Sequence, residues 1–141
     1  IKDKSHCKSA NKSAYNNFKR IIDYEIFRNI PQAEDAIFYI WKSFFNMNKY
    51  DYAIKYFDKC LANSINTKDS EALYWKAQCY HELKDYEKAK ALFVQLVDYY
   101  PNSPNRESAE KFIKYIEQII VDDALRQIKE EDKEESELRI P

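Results

Sequence analysis

Apolar residues return at helical spacing along most of the chain. The segments Tyr50–Leu61 (YDYAIKYFDKCL) and Tyr86–Val97 (YEKAKALFVQLV) share the form Y-x2-A-x3-F-x2 followed by two small or apolar residues. They are offset by 36 residues, Tyr50 to Tyr86, Ala53 to Ala89, Phe57 to Phe93 and Cys60 to Leu96. Each copy puts its apolar side chains at i, i+4, i+7 and i+8, which is one stripe of an amphipathic helix. A looser third copy, Ala14, Phe18, Ile21 and Ile22, lies 39 residues upstream of the first, with Asn11 in place of the leading tyrosine. It predicts the second helix of an incomplete first repeat.

Another stripe precedes each full copy: Ile37, Ile40, Trp41 and Phe44 in one case, Leu73, Ala77 and Tyr80 in the other. The unit is therefore helix, short turn, helix, with turns at Met47–Lys49 and Lys84–Asp85 and joints at 63–69 and 100–104. Ser70 offers an N-cap, and Ser103 with Pro104 reads as an N-cap followed by proline at the first helical position. From Asn105 the stripe Phe112, Ile113, Ile116, Ile119, Ile120 predicts a longer final helix ending near Ile128. Terminal repeats need such a cap because one face has no neighbour. The expected organisation is a mobile basic arm (1–12), a helical repeat domain (13–129) and a mobile acidic tail (130–141).

Composition narrows the chemistry. The 141 residues contain no glycine. Phosphate-cradling loops, dinucleotide turns and the strained elbow of hydrolases all depend on glycine backbone, so none is expected. Tight β-hairpins would need the same freedom, which makes the expected fold class all-α. Lys and Arg number 23 against 24 Asp and Glu, a balance that gives no field for nucleic acid. The charge is uneven, however: residues 1–30 carry +4, and residues 122–137 carry −5 from eight acidic and three basic side chains.

The longest apolar run, Ala36–Trp41, is far short of the roughly 20 residues that span a bilayer. The start, Ile1 to Cys7, lacks a signal-peptide core, so any export signal is expected to have been removed before Ile1 or never to have existed. Cys7, Cys60 and Cys79 form no CxxC pair and fit neither a disulfide framework nor a zinc set. Cys60 and Cys79 read as small core residues, with a bridge between them left open. Cys79 and His81 stand two apart, a spacing that does not bring helix side chains face to face. The expectation is a protein that is not an enzyme and has no catalytic residue, no metal site and no cofactor.

Residues 70–103 resemble the tetratricopeptide repeat (TPR), whose 34-residue pattern runs W-x2-L-G-x2-Y, A-x3-F, P. Leu73 stands at the Trp site, Ala77 at the Gly site, and Tyr80, Ala89, Phe93 and Pro101 follow in register. The copy at 34–67 departs from it, with bulky Trp41 where a small residue is expected and Ile65 at the proline site; Lys76 replaces a leucine in the better copy. The resemblance implies a right-handed superhelix of antiparallel helix pairs: about two full repeats, an N-terminal half-repeat and a long C-terminal capping helix. The string from Glu71 to Pro104, with its 36-residue spacing and Tyr-Pro-Asn-Ser-Pro joint, resembles the repeats of two bacterial envelope groups, the BamD-type outer-membrane-assembly lipoproteins and the YbgF-type Tol-Pal-associated periplasmic proteins.

That likeness implies a protein-binding adaptor in an envelope assembly complex, periplasmic and associated with the outer membrane, with peripheral attachment through a removed or lipidated N-terminus. The alternatives are a cytosolic TPR adaptor and a helical-repeat regulatory or nucleic-acid-associated module. In the family, outward positions of successive first helices line a groove that holds a protein or peptide. Carried over by register, the groove positions are Phe38, Tyr39, Lys42, Phe45, Tyr74, Trp75, Gln78, His81 and Lys114. Tyrosine and tryptophan are enriched where binding energy concentrates, but the same rings are also the material of an ordinary core. Both readings stand at this point.

Overall fold

A computed structural model describes residues 12, 13, 16, 31–61 and 69–139. Within these residues lie five complete helices and no strand: α1 (Pro31–Asn46), α2 (Tyr50–Leu61), α3 (Asp69–Glu82), α4 (Tyr86–Tyr99) and α5 (Arg106–Leu138). Each helix packs on its neighbours in sequence, α1 on α2, α2 on α3, α3 on α4 and α4 on α5. The expected half-repeat stripe of Ala14, Phe18, Ile21 and Ile22 lies outside the described residues. So do residues 1–11, Ile65, and the side chains of Ile37 and Cys60.

The two helix pairs turn in the same way. Asn48 and Lys84, 36 residues apart, both adopt positive φ, 59° and 61°. At the first turn the Asn48 N–H donates to Phe45 O at 2.9 Å and the Lys49 N–H to Phe44 O at 2.9 Å. At the second, Lys84 donates to His81 O at 3.0 Å and Asp85 to Tyr80 O at 2.9 Å. This is the Schellman pattern, in which a left-handed residue ends a helix and satisfies its last carbonyls. Glycine usually fills that position; here asparagine and lysine do. Asp85 then starts α4, its carboxylate accepting the Lys88 N–H at 3.3 Å.

Two apolar clusters meet across α3. On one side Ala72 and Cys79 of α3 pack with Ile40, Trp41, Phe44, Ala53, Tyr56 and Phe57 of α1 and α2, and half-buried Trp75 closes over them. On the other, Leu73 and Ala77 pack with Ala89, Phe93 and Leu96 of α4 and Ala109 and Ile116 of α5. The small residues Ala72, Ala77, Ala89 and Ala109 are fully or almost fully buried, which lets the helix axes approach closely. Phe93 is stacked on Phe112 with ring centroids 5.1 Å apart, fixing α5 against α4.

Trp41 fits where a small residue was expected by tilting over Phe57 at 4.2 Å and Trp75 at 5.4 Å, and it is 1% exposed. Its indole N–H is buried without a hydrogen-bond partner, a cost of about 1–3 kcal/mol. Lys76 occupies the consensus leucine site. Its ammonium crosses to the Asp58 carboxylate of α2 at 2.6 Å.

Two boundary expectations need correction. Neither Ser70 nor Ser103 is an N-cap: α3 begins at Asp69, and α5 begins at Arg106 with Asn105 as its cap and no side-chain cap bond. Ser103 Oγ instead accepts the Asn105 N–H at 3.2 Å within the joint. The final helix also runs past its expected end near Ile128 to Leu138, so the acidic segment is helical, with every described side chain from Lys129 onward exposed. Ile120 stands one 36-residue offset after Lys84, at the place of the next left-handed turn. A β-branched residue is poorly suited to positive φ, and the helix continues through it.

Replacing Lys84 by glycine relieves the left-handed strain on a Cβ-bearing residue, while glycine loosens the unfolded chain. The net expectation is a gain of about 0.5–1 kcal/mol, read as a higher urea midpoint at unchanged m-value. Lys84→Val should lower the midpoint. The Cys79 thiol is free and pushed up to about 12 from its ordinary 9.0, first by burial and then by the carboxylates of Glu82 and Asp51. A raised thiol pKa gives stability that is intact below pH 9 and lost as pH climbs toward 12, since only the unfolded chain ionises early in that window. Cys79→Ala should flatten the alkaline limb of a stability profile measured from pH 7 to 11.

Candidate protein-binding site

Helices α1, α3 and the first half of α5 are the first members of successive units, and their side chains form one aromatic row. In α1, the half-buried Phe38 ring stands edge-on to Tyr39 at 5.7 Å and to Trp41 at 4.8 Å. Half-buried Phe45 meets Tyr50 at 5.4 Å and reaches Trp75 of α3 at 5.2 Å. Within α3, Tyr74 meets Trp75 at 5.4 Å and Phe93 of α4 at 5.8 Å. Toward α5, His81 lies against Tyr86, Phe112 and Tyr115 at 5.7, 5.4 and 5.9 Å. Edge-to-face pairs of this kind contribute about 0.5–1.5 kcal/mol each beyond the area they bury. The row therefore ties the units to one another.

The groove positions expected from sequence divide by exposure. Phe38, Phe45, Tyr74, Trp75 and His81 are half-buried, and Gln78 is buried. The Gln78 amide donates to the Tyr74 hydroxyl at 3.2 Å, so this polar pair is turned inward. Tyr39, Lys42 and Lys114 are exposed, Tyr39 at 48%. Tyr115, which the sequence reading passed over, is 56% exposed at the α5 end of the row. Its signal was available: it falls one helical turn after Lys111 and beside Lys114, off the Phe112–Ile116 stripe.

Acid–base chemistry along this face is limited by shielding. Both ring nitrogens of His81 are buried without a hydrogen-bond partner, and Nδ1 is 4.0 Å from Glu82 Oε1. Cys79 belongs to the cluster on the α1–α2 side of α3 while His81 faces α5, so the two lie on different sides of one helix. Tyr50, beside Phe45, has its hydroxyl pKa raised by burial and by the Glu82 and Cys79 charges. At the α4–α5 joint the Tyr100 hydroxyl is likewise pushed up by burial and by Asp69, whose charge and hydrogen bond hold it protonated. On exposed α5, Glu107 and Lys111 pair at 2.9 Å, which lowers the carboxyl and raises the ammonium. No group of three metal-ligating side chains occurs among the described residues.

Comparison with curated proteins gives no match. Residues 71–103, which span α3, α4 and the joint to α5, match the family described as tetratricopeptide repeat. Its members generally act as non-catalytic scaffolding for protein–protein interaction. The unit built by α3 and α4 is thus similar to a tetratricopeptide repeat, and the five described helices form an all-α helical repeat fold of that kind.

Proposed function

We propose that the chain is a protein-binding scaffold that grips a peptide along the first-helix side of α1, α3 and α5. The observation that carries this reading is the aromatic row, which joins α1 to α3 through Trp41 and Trp75, passes from Tyr74 by way of Phe93 and Phe112 to His81, and reaches the surface at Tyr39 and Tyr115. Exposed Lys42 and Lys114 flank those two tyrosines. Such a surface fits an apolar or aromatic segment that carries acidic residues at its ends. Aromatic anchors beside a charged rim are the usual carriers of binding energy at protein interfaces.

The placement we favour is an adaptor in a bacterial envelope assembly complex, at the periplasmic side of the outer membrane. It rests on the repeat pattern of residues 70–103 and on the Tyr-Pro-Asn-Ser-Pro joint. No described helix is long and apolar enough to cross a membrane. A cytosolic adaptor would use the same surface, and fractionation of the native protein separates the two.

The test is to select binding peptides from a random library displayed against the immobilised chain, then to measure their affinity for variants by calorimetry. Tyr39→Ala combined with Lys42→Glu should weaken binding about tenfold, or 1.4 kcal/mol, with helicity unchanged. Trp75→Ala is expected to act on folding instead, costing roughly 3 kcal/mol, at the lower end for tryptophan truncation because the ring is half-buried. Selected peptides whose affinity ignores Tyr39, Lys42, Lys114 and Tyr115 alike would sink the proposal.

A further inference from the structure

Beyond Ile120, α5 leaves the body of the repeat and carries a second apolar stripe that nothing described covers. Val121, Leu125 and Ile128 are spaced four and three apart, on one side of the helix, and each is about half exposed, at 51, 51 and 53%. This side is turned away from the Ala109–Ile116–Ile120 stripe that packs on α4, by helical register. The stripe continues at the same spacing into Glu131, Asp132 and Glu135, within the stretch 122–137 of net charge −5. An occupant of this face needs an apolar stripe of its own and basic residues beside it.

One segment of the chain has that composition. Residues 12–22, KSAYNNFKRII, combine the Ala14, Phe18, Ile21, Ile22 stripe with Lys12, Lys19 and Arg20 and contain no acidic residue. Their pattern is that of α2 and α4, each of which packs on the helices before and after it in sequence. Lys12, Ser13 and Asn16 are helical and exposed, as polar positions between the stripe residues would be. Two copies of α5, by contrast, would bring together two stretches of net charge −5. We infer that the exposed face of α5 receives residues 12–22 of a second copy of this chain, so that copies join head to tail. Such a contact is heterologous: each copy keeps one free end of each kind, and further copies can add.

The 141-residue chain tests this by light scattering coupled to size exclusion, from about 1 μM to about 1 mM. The mass should rise with concentration and fall back toward the monomer as salt is added, because the contact pairs opposite charges. Val121→Glu with Leu125→Glu removes the receiving face without touching the core, and Phe18→Glu removes the inserted stripe. Each variant should be monomeric alone, yet the two mixed should form a 1:1 complex, since one still offers its amino-terminal segment and the other its α5. Circular dichroism checks that Phe18→Glu remains folded, and Lys19→Glu with Arg20→Glu, which leaves the apolar stripe intact, replaces it if not. A wild-type mass that stays monomeric throughout overturns the inference. So does continued self-association of the amino-terminal variant, which would mean that α5 pairs with α5, and so does a mixture of the two variants that forms no complex.

Discussion

The structure depends on α3 being buried from two sides at once. Ala72, Trp75 and Cys79 close the α1–α2 cluster, while Leu73 and Ala77 open onto α4 and α5. A helix in the middle of a stack cannot keep a polar back, so its apolar residues spread around the axis instead of forming one stripe. That burial explains why Cys79 holds its proton so tightly, and why Lys76, which points to α2 from the same helix, reaches a carboxylate. It also brings Trp75 within ring contact of Trp41 and Phe45, which joins α3 to α1 in the aromatic row.

A second constraint is the absence of glycine. The fold still needs left-handed residues to reverse the chain, and it places Asn48 and Lys84 there with matching hydrogen bonds. One offset later the chain presents Ile120, and the turn does not form. The long α5 is therefore the outcome of a missing turn as much as of strong helix propensity. Beyond the body it is supported by its own side chains, with Gln118 bonded to Asp122 at 2.8 Å and ion pairs joining Arg126 to Asp123 and Arg139 to Glu135. Pairs at i, i+3 and i, i+4 of this kind hold a solvated helix together without a core.

These details mark how far the sequence could be read. The pattern Tyr86, Ala89, Phe93 defined α4 outright, and the 36-residue offset located α2 and both turns, because period and spacing are local properties. The second face of α3 was written as Ala72, Trp75 and Cys79, at i, i+3 and i+7; Cys79 was legible as core, but the face as a whole was not, because the Leu73, Ala77, Tyr80 stripe already supplied the helix with one buried side. The acidic end of α5 looked structureless because burial, and not side-chain pairing, was taken as the condition for order. As for the site, exposure at Phe45 or Tyr39 is decided by which neighbouring helix arrives over the ring. That is a tertiary fact, and it left the groove and core readings of the same five aromatic side chains standing together.

The Lys76 to Asp58 bridge and the Trp41 to Trp75 contact both cross from one unit to the next. In an array whose units meet only at their borders, such contacts set how sharply the whole responds to stress. The unit of α1 and α2 carries an unsatisfied indole and an oversized tryptophan, so it draws support from across the border. Loosening α3 therefore releases its neighbour with it, and the array should melt as a single cooperative block with no surviving half.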